Sequence, residues 1–260
     1  MRPTLCVCLI TQDQAVRLPP LLDQASRVAD EIVVVDGGSR DATAAVVARY
    51  PLARLVHRPF DGNFAAQKNA ALDAARSEWI LFLDTDELLG PNLERLLPSL
   101  LRSPFRSFSF PRCWLARTEP LLHVELGANL PDRVYRLFRN RPGIRYDPVR
   151  PVHEGMLREL LRPRLRVRYS HVLHYCLLWE DRASRERKVW RYGSAGPGET
   201  DVNRVYLFED HPHRLVSCRE GWVDGRPIVA SAWDLTRDRL LLALKSPLAA
   251  IARSGNGAHR

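Results

Sequence analysis

Trp79-Ile80-Leu81-Phe82-Leu83-Asp84-Thr85-Asp86-Glu87 runs from unbroken apolar residues straight into acid. Ile80 to Leu83 read as a buried strand, because a short continuous apolar run suits a strand covered on both faces. The acidic residues follow where that strand leaves the sheet, and open α/β sheets bind ligands beyond the carboxyl ends of their strands. Asp84 and Asp86 are two residues apart, so in an extended segment both carboxylates point to one side. Two hard oxygen ligands on one side suit Mg²⁺ or Mn²⁺ shared with a substrate phosphate. A helix N-cap followed by solvated acids is the structural alternative for such a pattern.

Working outward, residues 4–10 and 31–35 form further apolar strand patterns, and 53–57 a shorter one. Leu18, Leu21, Leu22, Ala25 and Val28 recur at helical spacing, with Pro19 near the first turn. Helices are also expected over 41–50, with Asp41 as N-cap, and over 64–76. Strands alternating with helices at this spacing mean βαβ units and a mainly parallel sheet with helices on both faces. Asp36-Gly37-Gly38-Ser39 ends the second strand; a carboxylate there suits a ribose or base edge, and the glycines admit close backbone approach. A turn needing positive φ explains the glycines equally well. The pattern is not Gly-x-Gly-x-x-Gly, which argues against a nicotinamide-binding domain.

Composition sets the limits. The chain has 260 residues, 45 % of them hydrophobic, which is enough for one large domain or a domain with an appendage. A formal charge of +9 invites phosphorylated or otherwise anionic partners. Nearly all the basic residues are Arg; Lys occurs only at positions 68, 188 and 245. Five cysteines without metal-like clustering in sequence suggest a reduced compartment. No stretch approaches the roughly 20 apolar residues of a membrane span, so a cytoplasmic location is expected.

Four segments carry a resemblance. They are Cys8-Leu9-Ile10-Thr11, the run Asp30 to Thr43 containing Val33-Val34-Val35-Asp36-Gly37-Gly38-Ser39, Asp61-Gly62-Asn63-Phe64 through Leu72, and Glu78 to Glu87. In this order and spacing they resemble family 2 glycosyltransferases, and among them the lipopolysaccharide core β-glucosyltransferase-like branch, over about residues 4–190. The resemblance implies a glycosyltransferase A-type fold and inverting, metal-dependent transfer of a sugar from a nucleotide-diphosphate donor, most often a UDP-sugar. It implies a glycan or lipid-linked acceptor in cell-envelope polysaccharide or lipopolysaccharide synthesis. It assigns Asp36 to the nucleoside, supported by Ser39 and Asp41, and sets Lys68 and Asn69 toward the donor. Many members carry Arg where this chain has Lys68. Asp13 takes the donor-site place where the family often has Asn-Glu or Asp-Glu. Asp84 and Asp86 match the motif that bridges Mn²⁺ or Mg²⁺ to the diphosphate. Val152-His153-Glu154 matches the family's Val-His-Glu and makes Glu154 the base that takes the acceptor hydroxyl's proton. Leu173-His174-Tyr175 matches Leu-His-Tyr, which puts His174, rather than His171, at the metal or diphosphate; a satisfied core histidine is the alternative.

The rest of the chain is read more coarsely. Leucines at 93, 96, 97, 100 and 101 mark a packed helix, residues 107–110 a strand, and 132–139 a half-exposed strand. Residues 1–195 are expected to form the catalytic domain, with 1–90 the nucleotide-sugar half and 91–195 the acceptor half; 196–260 form a C-terminal extension. Basic residues gather from Arg158 to Arg191, either as a solvated face or for an anionic acceptor at the inner face of a membrane. Nucleic acid is not expected, since no binding motif accompanies the charge. Leu240 to Leu244, with Leu248, Ala249 and Ile251 after Pro247, suit an interfacial amphipathic pair of short helices, but plain packing against the main domain is the favoured reading. Two other classes compete. A haloacid dehalogenase-like phosphatase also places an Asp-x-Asp after a strand, but opens its chain with that strand. A sugar-nucleotide or anionic-glycan binding module without catalysis is the other.

Overall fold

The structure, a computed structural model, describes residues 2–126, 132–147, 149, 156, 161–195, 201–223, 226–229 and 232–255. Strands β1 (Leu5–Thr11), β2 (Glu31–Asp36), β3 (Ala53–His57) and β4 (Trp79–Phe82) alternate with helices α1 (Leu18–Val28), α2 (Thr43–Val47) and α3 (Phe64–Ala74). A short strand β5 (Glu87–Leu89) and helix α4 (Pro91–Leu101) lead to the long strand β6 (Ser107–Thr118), then β7 (Leu121–Glu125) and β8 (Arg133–Arg139). Next come β9 (Arg164–Arg166), β10 (Val172–His174), α5 (Cys176–Trp179), α6 (Arg182–Ala195) and α7 (Asp201–Tyr206). The chain finishes with β11 (Arg214–Ser217), β12 (Glu220–Val223), β13 (Arg226–Val229) and α8 (Ala232–Gly255).

The main sheet has the order β11-β7-β6-β8-β4-β1-β2-β3. Its core, β4-β1-β2-β3, is parallel as expected; β8, β6, β7 and β11 extend it antiparallel. The parallel part follows from period-two alternation. Leu5, Val7 and Leu9 of β1 face the cluster built by α1, α2 and α4. Cys6 and Cys8 face the α3 side, beside Ala65, Ala71 and Leu72. Each such fully buried aliphatic side chain stabilises the fold by about 1.5–3 kcal/mol.

Several boundaries differ from the sequence reading for physical reasons. Helix α2 starts at Thr43, because the Asp41 carboxylate accepts from the Thr43 N–H and from Ala15 N and so ties down the preceding loop. Asn63 caps α3 by accepting from Ala66 N at 3.0 Å. The strand expected at 107–110 continues to Thr118, since β10 pairs with its second half and β8 and β9 with its first. The C-terminal leucines lie on one helix, α8, which runs through Pro247; that proline is exposed, where water replaces the lost N–H bond. Among the described residues, no helix is long and apolar enough to cross a membrane.

Residues 214–217 add a strand to the main sheet through β7, and α8 packs on α4. Buried Asp238 holds α8 to the chain before β10 by accepting from Arg168 N, Tyr169 N and Ser170 Oγ.

Candidate active site

The acidic run occupies the end of β4 as the apolar pattern requires. Leu83 N still pairs with Cys8 O at 3.0 Å; the chain then turns at Thr85 and Asp86 and returns as β5. Asp84 and Asp86 therefore sit on a turn rather than an extended segment, and their carboxylates find different partners. Asp84 pairs with Arg136 of β8 and lies 3.9 Å from Lys68 Nζ of α3. Asp86 lies 3.5 Å from His174 Nε2 and 3.7 Å from Lys188 Nζ of α6.

Strand β10 carries His174 into place. It pairs antiparallel with β5, so His174 stands opposite Glu87, and Tyr175 N donates to Asp86 O at 2.8 Å. On its other side β10 pairs with β6, and the Trp114 ring lies 4.0 Å from the His174 ring. Beneath the turn, fully buried Glu87 accepts from Arg136 at 2.5 Å and from Arg112 at 3.3 Å. Arg112 also bonds Asp132. Anion and cation thus alternate through the site, each buried charge having a partner of opposite sign, without which its desolvation would be prohibitive.

Ionisation follows from these contacts. Burial alone would raise the Asp84 carboxyl, but Arg136, then Lys68 and Arg112, hold it well below the usual carboxylate range. Burial, reinforced by Arg112, pushes His174 down to about 3, so its imidazole is neutral at physiological pH. Burial pushes the Cys176 thiol up.

These groups line a cleft of about 700 Å³ at the carboxyl ends of β1 and β4. Its walls include Thr11, Gln12, Gly37, Phe60, Gln67 and Lys68 on one side and Arg187, Lys188 and Tyr206 on the other. The sequence-predicted residues divide here. Lys68, Asp84, Asp86 and His174 line the cleft. Asp36 lies behind it: its carboxylate accepts from Ser39 N and Ser39 Oγ and faces His57 Nδ1 at 3.4 Å. Asp13, at φ 52°, accepts from Arg40 N at 2.7 Å and gives its own N–H to Ser39 Oγ. Asp13, Asp36, Ser39 and Asp41 together shape the β1 and β2 end loops, and Gly38 supplies the positive φ of 96° that they need. Asn69 uses its amide on Tyr146, donating to its carbonyl and accepting from its N–H. Glu154, together with His153, lies outside the described residues.

Arg112, Arg136, Lys188 and Cys176 were not singled out by the sequence reading as site residues. One signal was available: in a chain whose basic residues are almost all Arg, two of the three lysines, Lys68 and Lys188, line this cleft.

The donor set fits a divalent ion. Asp86, His174 and Cys176 offer ligand atoms within 4.8 Å of one another. His174 is a neutral imidazole whose Nδ1 is buried with no hydrogen-bond partner. A carboxylate with an imidazole suits Mn²⁺ better than Mg²⁺, which prefers oxygen throughout.

Comparison with known proteins bears on the family and the fold. The family model described as Glycosyl transferase family 2 matches residues 6–112. A TPR repeat-containing protein of Synechococcus elongatus is 38 % identical over 148 residues, 57 % of this chain and 34 % of that protein. The lipopolysaccharide core biosynthesis glycosyltransferase LpsC of Rhizobium meliloti is 36 % identical over 137 residues, 50 % of this chain and 48 % of that protein. The chain thus spans between a third and a half of the length of these relatives. Among solved structures, S. aureus TarS superposes with a TM-score of 0.50 at 14 % identity, over 79 % of this chain and 42 % of that one. That likeness concerns the fold alone.

Proposed function

From the match of residues 6–112 to glycosyltransferase family 2 we propose that the chain is an inverting, metal-dependent glycosyltransferase using a nucleotide-diphosphate sugar. The observation that carries this reading is the cleft in which Asp84, Asp86 and His174 meet Lys68, Arg136 and Lys188. Anionic and cationic groups side by side suit a ligand that brings both a divalent ion and a diphosphate. Asp86 and His174, with Asp84, would hold Mn²⁺ or Mg²⁺, which when bound supplies Lewis-acid neutralisation of the leaving diphosphate.

The chain's own groups do the rest. Lys68 and Arg136 exchange their contact with Asp84 for phosphate oxygens, and Lys188 turns from Asp86 and Glu180 to the same end. The loops shaped by Asp13, Asp36, Ser39 and Asp41 seat the nucleoside, for which uridine is the family's usual choice. Glu154 takes the proton of the acceptor hydroxyl as the new bond forms on the sugar face opposite the diphosphate. Proton removal by a positioned carboxylate contributes about 10²–10⁴-fold.

The relative named for lipopolysaccharide core biosynthesis supports a glycan or lipid-linked acceptor in envelope synthesis. Residues 1–195 serve as the catalytic domain in this reading. The extension from 196 onward contributes α8, whose exposed Leu240, Leu244, Leu248 and Ile251 approach an anionic membrane surface. The test is a set of binding and transfer assays with UDP-, GDP- and dTDP-sugars, each with and without Mn²⁺. Asp86→Ala is expected to abolish metal-dependent nucleotide binding. Glu154→Gln is expected to keep it while lowering turnover at least about 10²-fold. Full transfer by Glu154→Gln removes the base assignment; metal-independent donor binding removes the role of Asp86.

A further inference from the structure

Arg112 of β6 lines the cleft and Trp114 packs on His174 on the same side of the strand, so Cys113 between them faces the other side. There it belongs to the large core cluster, as does Cys218, which follows β11. His123 of β7, the strand between β6 and β11, completes a group of three. The two sulfur atoms and one imidazole nitrogen lie within 4.8 Å of one another. Cys113 and Cys218 are only 5 % and 6 % exposed. His123 Nε2 lies 3.7 Å from Glu125 Oε1, whereas its Nδ1 is buried with no hydrogen-bond partner. An imidazole that meets a carboxylate and lies beside two thiols has the components of a metal ligand with its orienting partner.

We propose that Cys113, His123 and Cys218 bind a zinc ion that fastens β7 and the segment after β11 to β6. Two thiolates and one imidazole select a borderline-soft ion over Mg²⁺ or Mn²⁺. In a tetrahedral site with bonds of about 2.3 Å to sulfur and about 2.0 Å to nitrogen, neighbouring donors stand about 3.5–3.8 Å apart. The observed spread reaches that spacing through side-chain adjustment of about 1 Å. A water fills the fourth position. The ligands come from positions 113, 123 and 218, which is why no spacing motif reveals them. The clamp also fixes Glu220, two residues past Cys218, whose buried carboxylate accepts from Asn92 N and His171 N beside the β5 and β10 strands.

The test begins with metal analysis of the full chain purified under reducing conditions without chelator. About one zinc per chain is expected, and Asp86→Ala should retain it, which separates this ion from any in the cleft. Cys113→Ser and Cys218→Ser should each lose the zinc, and Glu125→Gln should weaken its binding by about 10–100-fold. Replacement by Co²⁺ in the wild-type protein gives a thiolate charge-transfer band that needs no variant to fold. A metal-free protein with reduced thiols, a Cys113–Cys218 disulfide in the intact mass, or a cobalt spectrum without thiolate bands each overturns the proposal.

Discussion

Glu87 has no exposure at all, and its charge is met by Arg136 and Arg112, with the Asp84 N–H donating to its other oxygen at 3.2 Å. Arg136 is the more consequential of the two, since it also holds Asp84. Replacing it by Met keeps the volume and leaves two carboxylates without their strongest partner. Breaking a buried pair from one side costs about 3–5 kcal/mol. Arg136→Met is therefore expected to lower the urea midpoint by a corresponding amount, and to weaken nucleotide binding in whatever protein remains folded. Unchanged stability would show that Glu87 is satisfied without Arg136. The residues legible in sequence were those on a local pattern: Asp84 and Asp86 end an apolar strand, Lys68 opens a helix turn, and His174 follows a short apolar run. Arg136 and Arg112 were not, because their place depends on β8 and β6 pairing with strands far away in the chain.

At the scale of elements, the short strand β5 lies directly after the acidic turn and needs a partner on each side. Strand β10 supplies one. The other is a side chain: buried Gln24 of α1 donates its Nε2–H to Leu89 O at 2.9 Å and accepts from Leu89 N at 2.7 Å. An amide thus imitates a neighbouring strand and ties α1 to the turn that carries Asp86. Gln24→Leu leaves the Leu89 N–H buried and unpaired, at about 1–3 kcal/mol, while Leu89 O keeps the Trp222 Nε1–H as a donor at 2.7 Å. The expected outcome is a lower Tm together with faster amide hydrogen exchange at Leu89; exchange as slow as in wild type would remove this role. The α1, β2, α3 and β4 elements were readable because their periodicity is local. The 12-residue β6 was not, since Pro111 and its mixed composition hide a strand that four others stabilise. Helix α8 reads as two pieces in the sequence because a proline lacks the N–H of an interior helix position and crowds the preceding turn, whereas here the helix runs through Pro247 and packs on α4.

Over the whole molecule, charge and apolar exposure coincide on α8. Leu244, Leu248 and Ile251 are 63–73 % exposed on one side of the helix, and Arg237, Arg239 and Lys245 are exposed beside them. The buried side, with Asp234 and Asp238, is already committed to the protein. An apolar row flanked by cations, on a chain of net charge +9, matches an anionic lipid surface better than water. Insertion of the leucines and attraction of the cations make separate contributions, so they respond differently to perturbation. Sedimentation with vesicles rich in anionic lipid should retain the protein at low salt and release part of it as ionic strength rises. Changing Leu244 and Leu248 together to Glu removes at least about 3 kcal/mol of apolar transfer. Binding should then fall by two orders of magnitude or more, while the nucleotide-binding affinity stays unchanged. If the wild-type chain ignores anionic vesicles yet dimerises with concentration, the row is instead a contact with a second copy. The double variant would then remain monomeric.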